Sequence, residues 1–245
     1  MESTFIRSVV LKRDEVADFG AYPFSIPAVE HLSELELDPH VTVFAGENGS
    51  GKSTLIEAIA VAAGFNAEGG SRNMTISTRA SHSVLHKYLR LVRGTRRPRT
   101  GYFLRAESFF NVATHVEELE RVDAGVLAAH GGIPLHERSH GESFIALVTH
   151  RFGPKGLYIL DEPEAALSLR GNLALMRRMH DLIAEGSQFI VSTHSPILLG
   201  YPGARIYVLS ERGIVETAYE RTEIVELTRA FLDGRQQFLT HLFED

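Results

Sequence analysis

The chain has 245 residues with no cysteine, and 25 lysines and arginines against 31 acidic residues give a formal net charge of -6. Its length suits one large domain with a real core, and a content of 44% hydrophobic residues is ordinary for a globular protein. The lack of cysteine excludes disulfides, thiolate metal sites and cysteine nucleophiles. No secretion signal opens the sequence and no apolar stretch could span a bilayer, so we expect a cytoplasmic protein.

Strands and helices are predicted to alternate along most of the chain. Apolar and β-branched runs predict strands at 5–11, 41–45, 102–104, 157–160, 189–192 and 206–209. Helix-forming runs predict helices at 53–63, 82–91, 114–119 and 167–184. This alternation indicates a mostly parallel α/β sheet, in which the 41–45 strand is buried.

A glycine-rich loop follows the 41–45 strand and opens the next helix. It matches the pattern G-x-x-x-x-G-K-[ST] and consists of Gly46, Glu47, Asn48, Gly49, Ser50, Gly51, Lys52, Ser53 and Thr54. Its glycines allow backbone N–H groups to surround phosphate oxygens, Lys52 supplies a cation, and Ser53 offers a hydroxyl to Mg²⁺. We therefore predict a phosphate loop for a nucleotide; the alternative is a glycine-rich turn that binds nothing.

Two acidic residues end the strand predicted at 157–160. Ligands of open α/β sheets bind at the carboxyl ends of the strands, which is where Asp161 and Glu162 fall. Asp161 is predicted to hold Mg²⁺, and Glu162 to orient or deprotonate an attacking water. The alternative is a solvated strand end.

A histidine follows the strand predicted at 189–192. From that position His194 could contact the γ-phosphate or the attacking water. The chain has 12 histidines, and most histidines in such a chain are structural or exposed. A role for His194 in the site is therefore indicated only by its position after a strand of the same sheet.

Basic residues are concentrated in residues 71–105, which contain no acidic residue. The nine are Arg72, Arg79, Lys87, Arg90, Arg93, Arg96, Arg97, Arg99 and Arg105. Without them the chain keeps 16 basic against 31 acidic residues, so charge is segregated. Four interpretations remain open: contact with nucleic-acid phosphates, a solvated loop, a match to an acidic partner surface, or arginines lining the nucleotide pocket.

The combination of motifs resembles the ABC-type ATPases, and the resemblance runs over most of the chain. The run from Ser139 through His140 and Gly141 to Glu142 resembles the S-x-G-[QE] signature, which opens a helix and binds the γ-phosphate of ATP held by another subunit. The resemblance therefore implies that Ser139 and Gly141 contact the ATP of a second copy. Residues 164–168 fall where the family has its D-loop, which couples the two sites.

The resemblance also implies a fold and an activity. The fold is that of a P-loop NTPase of the ABC type: a mostly parallel α/β sheet with an N-terminal antiparallel β part and a helical signature subdomain. Residues 1–245 would form one domain, with residues 66–150 as the subdomain inserted before the Asp161 strand. The activity implied is hydrolysis of ATP with Mg²⁺, by a homodimer that sandwiches ATP head to tail.

Two positions depart from the family pattern. A glutamine usually ends a strand between the phosphate loop and the signature and contacts the metal; here Glu107 is the best candidate, or else it caps a helix near residue 109. The aromatic residue that stacks on adenine in transport ATPases has no clear counterpart. Tyr22 and Phe24 are candidates, and both could instead belong to the core.

The sequence from Glu47 to Ala60, with the histidine of the signature, resembles the branch of RecF, SMC and predicted AAA-type ATPases, in a short form without a coiled coil. That branch suggests a nucleic-acid partner. The alternatives are the energy-coupling subunit of a membrane transporter, docked on a permease, and a switch that binds ATP with little turnover. Near the C-terminus, Ile224, Val225, Leu227, Phe231 and Leu232 predict the packed face of a terminal helix.

Overall fold

The computed structural model describes residues 4–71, 83–107 and 140–244. Its strands are β1 (Ile6–Leu11), β2 (Glu34–Glu36), β3 (Val41–Gly46), β4 (Gly70–Ser71), β5 (Leu89–Arg93), β6 (Thr100–Arg105), β7 (Gly156–Asp161), β8 (Gln188–Ser192), β9 (Arg205–Ser210) and β10 (Gly213–Glu216). Its helices are α1 (Pro27–Glu30), α2 (Lys52–Ala62), α3 (Leu85–Tyr88), α4 (His140–Arg151), α5 (Leu169–Ala184), α6 (Pro196–Leu199), α7 (Glu223–Asp233) and α8 (Arg235–Glu244). Short 3-10 helices span Arg13–Glu15, Pro163–Ala166 and Tyr219–Arg221.

The larger sheet has the strand order β10-β9-β3-β8-β7-β6-β4. Its five central strands pair in parallel, and the two edge strands β10 and β4 pair antiparallel. The prediction of a mostly parallel α/β sheet is confirmed. Because the central strands run the same way, the residues that follow β3, β7 and β8 meet at one edge of the sheet.

Both faces of this sheet are covered, which explains its unbroken apolar strands. Strand β7 is buried over its whole length, as a parallel strand between two helical layers must be. Alternate residues face opposite sides: Ile159 packs in one core with Ile56 of α2, and Leu160 packs in a second core with Phe144 of α4. The phosphate-loop helix and the signature helix therefore lie on opposite faces of the sheet.

The smaller sheet is antiparallel, with the order β2-β1-β5. It is the N-terminal antiparallel part that the family resemblance implies. A buried side chain ties it to the larger sheet: the Gln188 amide oxygen accepts from the N–H groups of Phe5 and Ile6, and its nitrogen donates to the carbonyls of Ile6 and Asp38. Gln188 begins β8 and Ile6 begins β1, so the two sheets are joined at the amino-terminal ends of these strands.

The prediction of a helix over residues 82–91 is wrong for most of its length. Helix α3 holds only Leu85–Tyr88, and the next five residues form β5. Pairing with β1 decides this, since Leu91 lies opposite Val9 and Arg90 opposite Val10. Tertiary pairing thus overrides a sequence that also suits a helix. The helix predicted at 114–119 lies outside the described residues.

The predicted packed face of the terminal helix is also mostly wrong. Within α7 only Val225 is buried, and Ile224 packs partly buried against the second core. Leu227, Phe231 and Leu232 are 50%, 36% and 71% exposed. The apolar pattern of α7 thus predicted its helical form but not its surroundings.

No helix in the described ranges is long and apolar enough to cross a membrane.

Candidate active site

The phosphate loop connects β3 to α2, and its glycines are required by its shape. Gly46 has φ +146°, and a Cβ there would come within 2.4 Å of the Leu209 carbonyl oxygen. Gly51, the residue before α2, has φ +95°, and a Cβ there would meet Ile26 at 2.6 Å. Both positions combine a backbone that disfavours side chains with no space for one.

Lys52 is buried against its own loop. Its ammonium donates to the carbonyl oxygens of Gly46 at 2.9 Å and Glu47 at 2.8 Å, and lies 4.0 Å from Glu162 Oε1. Burial lowers the pKa of Lys52, whereas the nearby carboxylates of Glu162 and Asp161 act to raise it. A phosphate group close to Lys52 would favour the charged form in the same way.

Two hydroxyls of the loop differ in their hydrogen-bond partners. The Ser50 hydroxyl is buried and has no hydrogen-bond partner among the described residues, which is costly unless a ligand supplies one. The Ser53 hydroxyl donates to Asp161 Oδ1 at 3.2 Å. A hydroxyl and a carboxylate at this separation are oxygen ligands of the kind Mg²⁺ prefers, with phosphates and waters completing the set. The donor chemistry therefore fits Mg²⁺.

Asp161 lies in a row of polar residues across three neighbouring strands. The register places Arg105 of β6 beside Asp161 of β7, and Asp161 beside Ser192 of β8. The Ser192 hydroxyl donates to Asp161 Oδ1 at 2.5 Å, and Arg105 Nε lies 3.5 Å from Asp161 Oδ2. Burial raises the pKa of the Asp161 carboxyl, while these two partners act to lower it. The row holds the carboxylate in place on both sides.

Glu162 has a strained backbone. Its φ of 49° and ψ of 51° are left-handed, which few residues other than glycine adopt. The Ser192 carbonyl oxygen stabilises this turn by accepting the Glu162 N–H at 3.1 Å. The conformation carries the side chain back over the loop, where Oε1 lies 3.2 Å from His194 Nε2, off the line of a hydrogen bond. Glu162 and His194 are each about one-third exposed and remain open to a ligand.

The segment predicted as the D-loop is joined to His194. It forms the 3-10 helix Pro163–Ala166 and ends at Ser168, whose hydroxyl accepts the Gly171 N–H as the N-cap of α5. The Glu164 carboxylate accepts the backbone N–H of His194. The loop after β8 is thereby fixed to the segment after β7.

Arg105 takes the strand-end position next to the Asp161 carboxylate. Its guanidinium donates to Glu57 of α2 at 2.7 Å and to the Ala67 carbonyl at 3.2 Å. Glu107, the predicted metal contact, is 88% exposed and lies 3.8 Å from Arg105. Its contact with a metal stays a prediction, and Arg105 is the side chain of this segment that reaches Asp161.

The signature stands apart from the phosphate loop within one chain. Ser139 lies outside the described residues, but Gly141 lies in the first turn of α4, with a Cβ there 3.3 Å from the Ala166 carbonyl oxygen. Gly141 lines a groove of about 790 Å³ with Ala166, Leu167 and Ser168. The phosphate-loop residues Gly46 and Glu47 line a different cleft, of about 210 Å³, with His194.

The two aromatic candidates for contact with the base differ in exposure. Phe24 is buried and its ring packs edge-on against Tyr88, with centroids 4.8 Å apart. Tyr22 is 67% exposed, and its hydroxyl lies 3.5 Å from Thr54 Oγ1 in the phosphate-loop motif. Phe24 is thus a core residue, and Tyr22 stands at the mouth of the loop.

The basic segment divides into two parts. Arg72 and Arg79 lie outside the described residues. Arg90, Arg93, Arg96, Arg97 and Arg99 are exposed. Arg90 and Arg93 lie on β5 of the smaller sheet, whereas Arg99 precedes β6 and is about 20 Å along that strand from Arg105 at its other end. Apart from Arg105, the described arginines of the segment therefore do not line the nucleotide site.

Comparison with known proteins agrees with this arrangement. The family described as AAA domain matches residues 17–104. A putative ABC transporter ATP-binding protein of Methanothermobacter thermautotrophicus is 34% identical over 85 residues, which are 34% of this chain and 30% of that protein. The cytochrome c biogenesis ATP-binding export protein CcmA of Salmonella typhi is 26% identical over 201 residues, 81% of this chain and 90% of that protein.

A solved structure has a similar fold over most of the chain. It is an inward-facing conformation of a putative metal-chelate type ABC transporter, with a TM-score of 0.54 and 16% sequence identity, over 94% of this chain and 89% of that one. The chain has the fold of an ABC-type P-loop ATPase. The fold that the resemblance implied is confirmed, and the AAA domain match covers the stretch that contains the phosphate loop. The subdomain proposed for residues 66–150 stays a prediction, since part of it lies outside the described residues.

Within this ABC-type fold, sequence reasoning missed the contacts that two residues make with Asp161. Ser192 and Arg105 both contact Asp161. Each is the last residue of its strand. Polar ends on three apolar strands are visible in the sequence, but only strand order and register show that they adjoin.

Proposed function

We propose that the chain binds ATP with Mg²⁺ and hydrolyses it. The proposal rests on one observation: Lys52, Ser53, Asp161, Glu162 and His194, from three separate strand ends, come together around the phosphate loop. Each has the chemical character that phosphoryl transfer to water needs. The 26% identity to an ATP-binding export protein over most of the chain supports the proposal.

Each residue has a separate task in this reaction. Lys52 and the loop N–H groups hold the phosphates, and Ser53 with Asp161 holds Mg²⁺, which neutralises charge on the phosphates when bound. Glu162 accepts a proton from water, whose oxygen bonds to the γ-phosphorus as the bond to the β–γ bridging oxygen breaks and ADP leaves. His194 lies beside Glu162 and is placed to orient that carboxylate or the water.

The proposed site is completed by a second copy. In one chain Gly141 and the phosphate loop line different cavities, so the start of α4 does not face the ATP held by its own loop. A head-to-tail dimer would bring Gly141 and Ser139 of one copy to the γ-phosphate of the other. Bound ATP then joins two surfaces, and its hydrolysis separates them.

Tyr22 is proposed to contact the adenine. Replacing Tyr22 with alanine should raise KM for ATP about tenfold, since loss of a stacked base costs about 1–3 kcal/mol, and should change kcat little. Steady-state kinetics of the alanine variant and of Tyr22→Phe, which keeps the ring, would check this. An unchanged KM in the alanine variant would exclude the contact.

Two kinds of partner are supported by different observations. The exposed arginines of β5 and the segment before β6 favour a nucleic acid. The relatives named as transporter ATP-binding proteins favour the energy-coupling subunit of a transporter. We favour a nucleic acid as the partner, because the exposed arginines that would contact its phosphates lie on the chain itself.

DNA should stimulate ATP turnover at low salt, and the stimulation should fall steeply as salt rises, because contacts to phosphates release counterions. Combined replacement of Arg96, Arg97 and Arg99 by glutamine should reduce the salt dependence by about three phosphate contacts. The assay compares turnover with and without DNA over a salt series. Binding that does not change with salt would refute phosphate contact, and co-fractionation with membranes would support the transporter.

A further inference from the structure

Two exposed apolar patches lie on α5 and α7. On α5, Leu169 and Leu173 are 65% and 54% exposed. On α7, Leu227 and Phe231 are 50% and 36% exposed. Residues four apart are neighbours on one side of a helix, so each pair forms a continuous apolar surface. Large contiguous apolar patches mark sites of association, and each pair here is a candidate for the apolar centre of such a site.

The α5 patch consists of Leu169 and Leu173 with Arg170. It lies on the same side of the molecule as Gly141 of the signature. Leu169 directly follows Ser168, which lines the groove together with Gly141. The patch is therefore adjacent to the surface that a head-to-tail dimer presents to the ATP of its partner.

The α7 patch, Leu227 and Phe231 with Glu223 and Glu226, lies on the phosphate-loop side. Leu227 and Glu223 line the same cleft as Gly46 and His194. This is the side on which a chain holds its own ATP. The two patches therefore belong to the two opposite halves of the proposed interface.

Charge beside the patches is complementary. Arg170 is exposed next to the leucines of α5, and Glu223 and Glu226 are exposed next to the apolar pair of α7. Opposite charges around an apolar centre favour pairing of the two patches over pairing of either with itself. A second copy of the chain carries both surfaces in the required arrangement.

We propose that the α5 patch of each copy packs against the α7 patch of the other in the ATP-bound dimer. The inference rests on the proposed head-to-tail dimer and adds a protein contact to the one made through ATP. Two-fold symmetry forms the contact twice, once beside each nucleotide. It also accounts for the exposure of Leu227, since of this apolar pair only Phe231 makes a ring contact within the described residues, edge-on with Phe238 of α8.

The lack of cysteine gives a direct test. Leu173→Cys and Leu227→Cys each supply the only thiol in a chain that has none. The two full-length variants, both also carrying Glu162→Gln, are mixed with ATP and Mg²⁺ and treated with a short bis-maleimide. A product of doubled mass is expected in the mixture with ATP, but not without ATP or from either variant alone. Leu242→Cys, at a 60% exposed position on α8, replaces Leu227→Cys as the matched control and should give none.

The outcomes separate the two proposals. If the cysteine-free Glu162→Gln protein stays monomeric with ATP on a sizing column, the head-to-tail dimer itself is wrong. If that protein dimerises but the mixture gives no linked product, the patch contact is wrong. A linked product from one variant alone would show like-with-like pairing and would also overturn the contact.

Charge substitution provides a second measurement. In the Glu162→Gln protein, Leu173→Glu and Leu227→Arg should each weaken ATP-dependent dimerisation by about tenfold or more, through lost burial and repulsion from like charges. Combining both in one chain should recover much of the loss, since the new charges then face each other. Two variants that each dimerise like their parent would contradict the contact, provided their melting temperatures match it.

Discussion

Replacing Glu162 with glutamine should slow ATP hydrolysis by about a hundredfold or more while ATP still binds. The amide has the shape of the carboxylate and keeps its place beside Lys52 and His194, but it cannot accept a proton from water. ATP would then persist in the site and hold two copies together. A turnover assay and a sizing column run with ATP measure the two effects.

Glu185→Gln is the matched control. Glu185 is exposed just after α5, near the start of β8 and so at the opposite edge of the sheet. Its variant should hydrolyse ATP at the unmodified rate. Unimpaired hydrolysis in Glu162→Gln would show that another group activates water, and a monomeric ATP-bound variant would contradict the two-copy site.

Replacing Lys52 with alanine should lower ATP affinity by roughly a hundredfold or more, because each hydrogen bond from a charged group is worth about 1.5–3 kcal/mol and Lys52 is placed to make more than one. The variant also loses the two bonds that Lys52 makes to the loop carbonyls. Its melting curve should therefore be recorded beside its binding curve for a fluorescent ATP analogue.

Two further lysine variants make this result specific. Lys12→Ala removes a partly exposed lysine paired with Glu15, and it should bind ATP normally. Lys52→Arg keeps the charge but is too bulky for a buried position that is 3% exposed, and it should bind poorly. Full ATP affinity in the folded Lys52→Ala protein would mean that this loop is not the nucleotide site.

The sheet and the centre of the site could be predicted from sequence because they depend on local pattern. An apolar strand that ends in Gly46 and a motif that continues into a helix specify strand, loop and helix together. The same holds for the strand that ends in Asp161 and Glu162. Since parallel strands place such ends at one edge, their approach followed from the fold class.

Other features depend on contacts that the sequence does not display. Residues 89–93 form a strand because they pair with β1, although the same residues continue a helical pattern. The contacts of Arg105 and Ser192 with Asp161 depend on strand order and register. The apolar face of α7 is typical of a helix packed on a core. A hydrophobic pattern predicts such a face but does not specify which element of the chain will pack against it.

The row of Arg105, Asp161 and Ser192 has a consequence for how the protein folds. Ser53 and Asp161 are 108 positions apart, and Asp161 and Ser192 are 31 apart. Contacts this distant form only after long stretches of chain have been closed at a cost in entropy. The stretch that matches the AAA domain, residues 17–104, contains Ser53 but neither Asp161 nor Ser192. A half-folded chain would carry a phosphate loop with no carboxylate opposite it, so ATP turnover reports that the whole sheet has assembled.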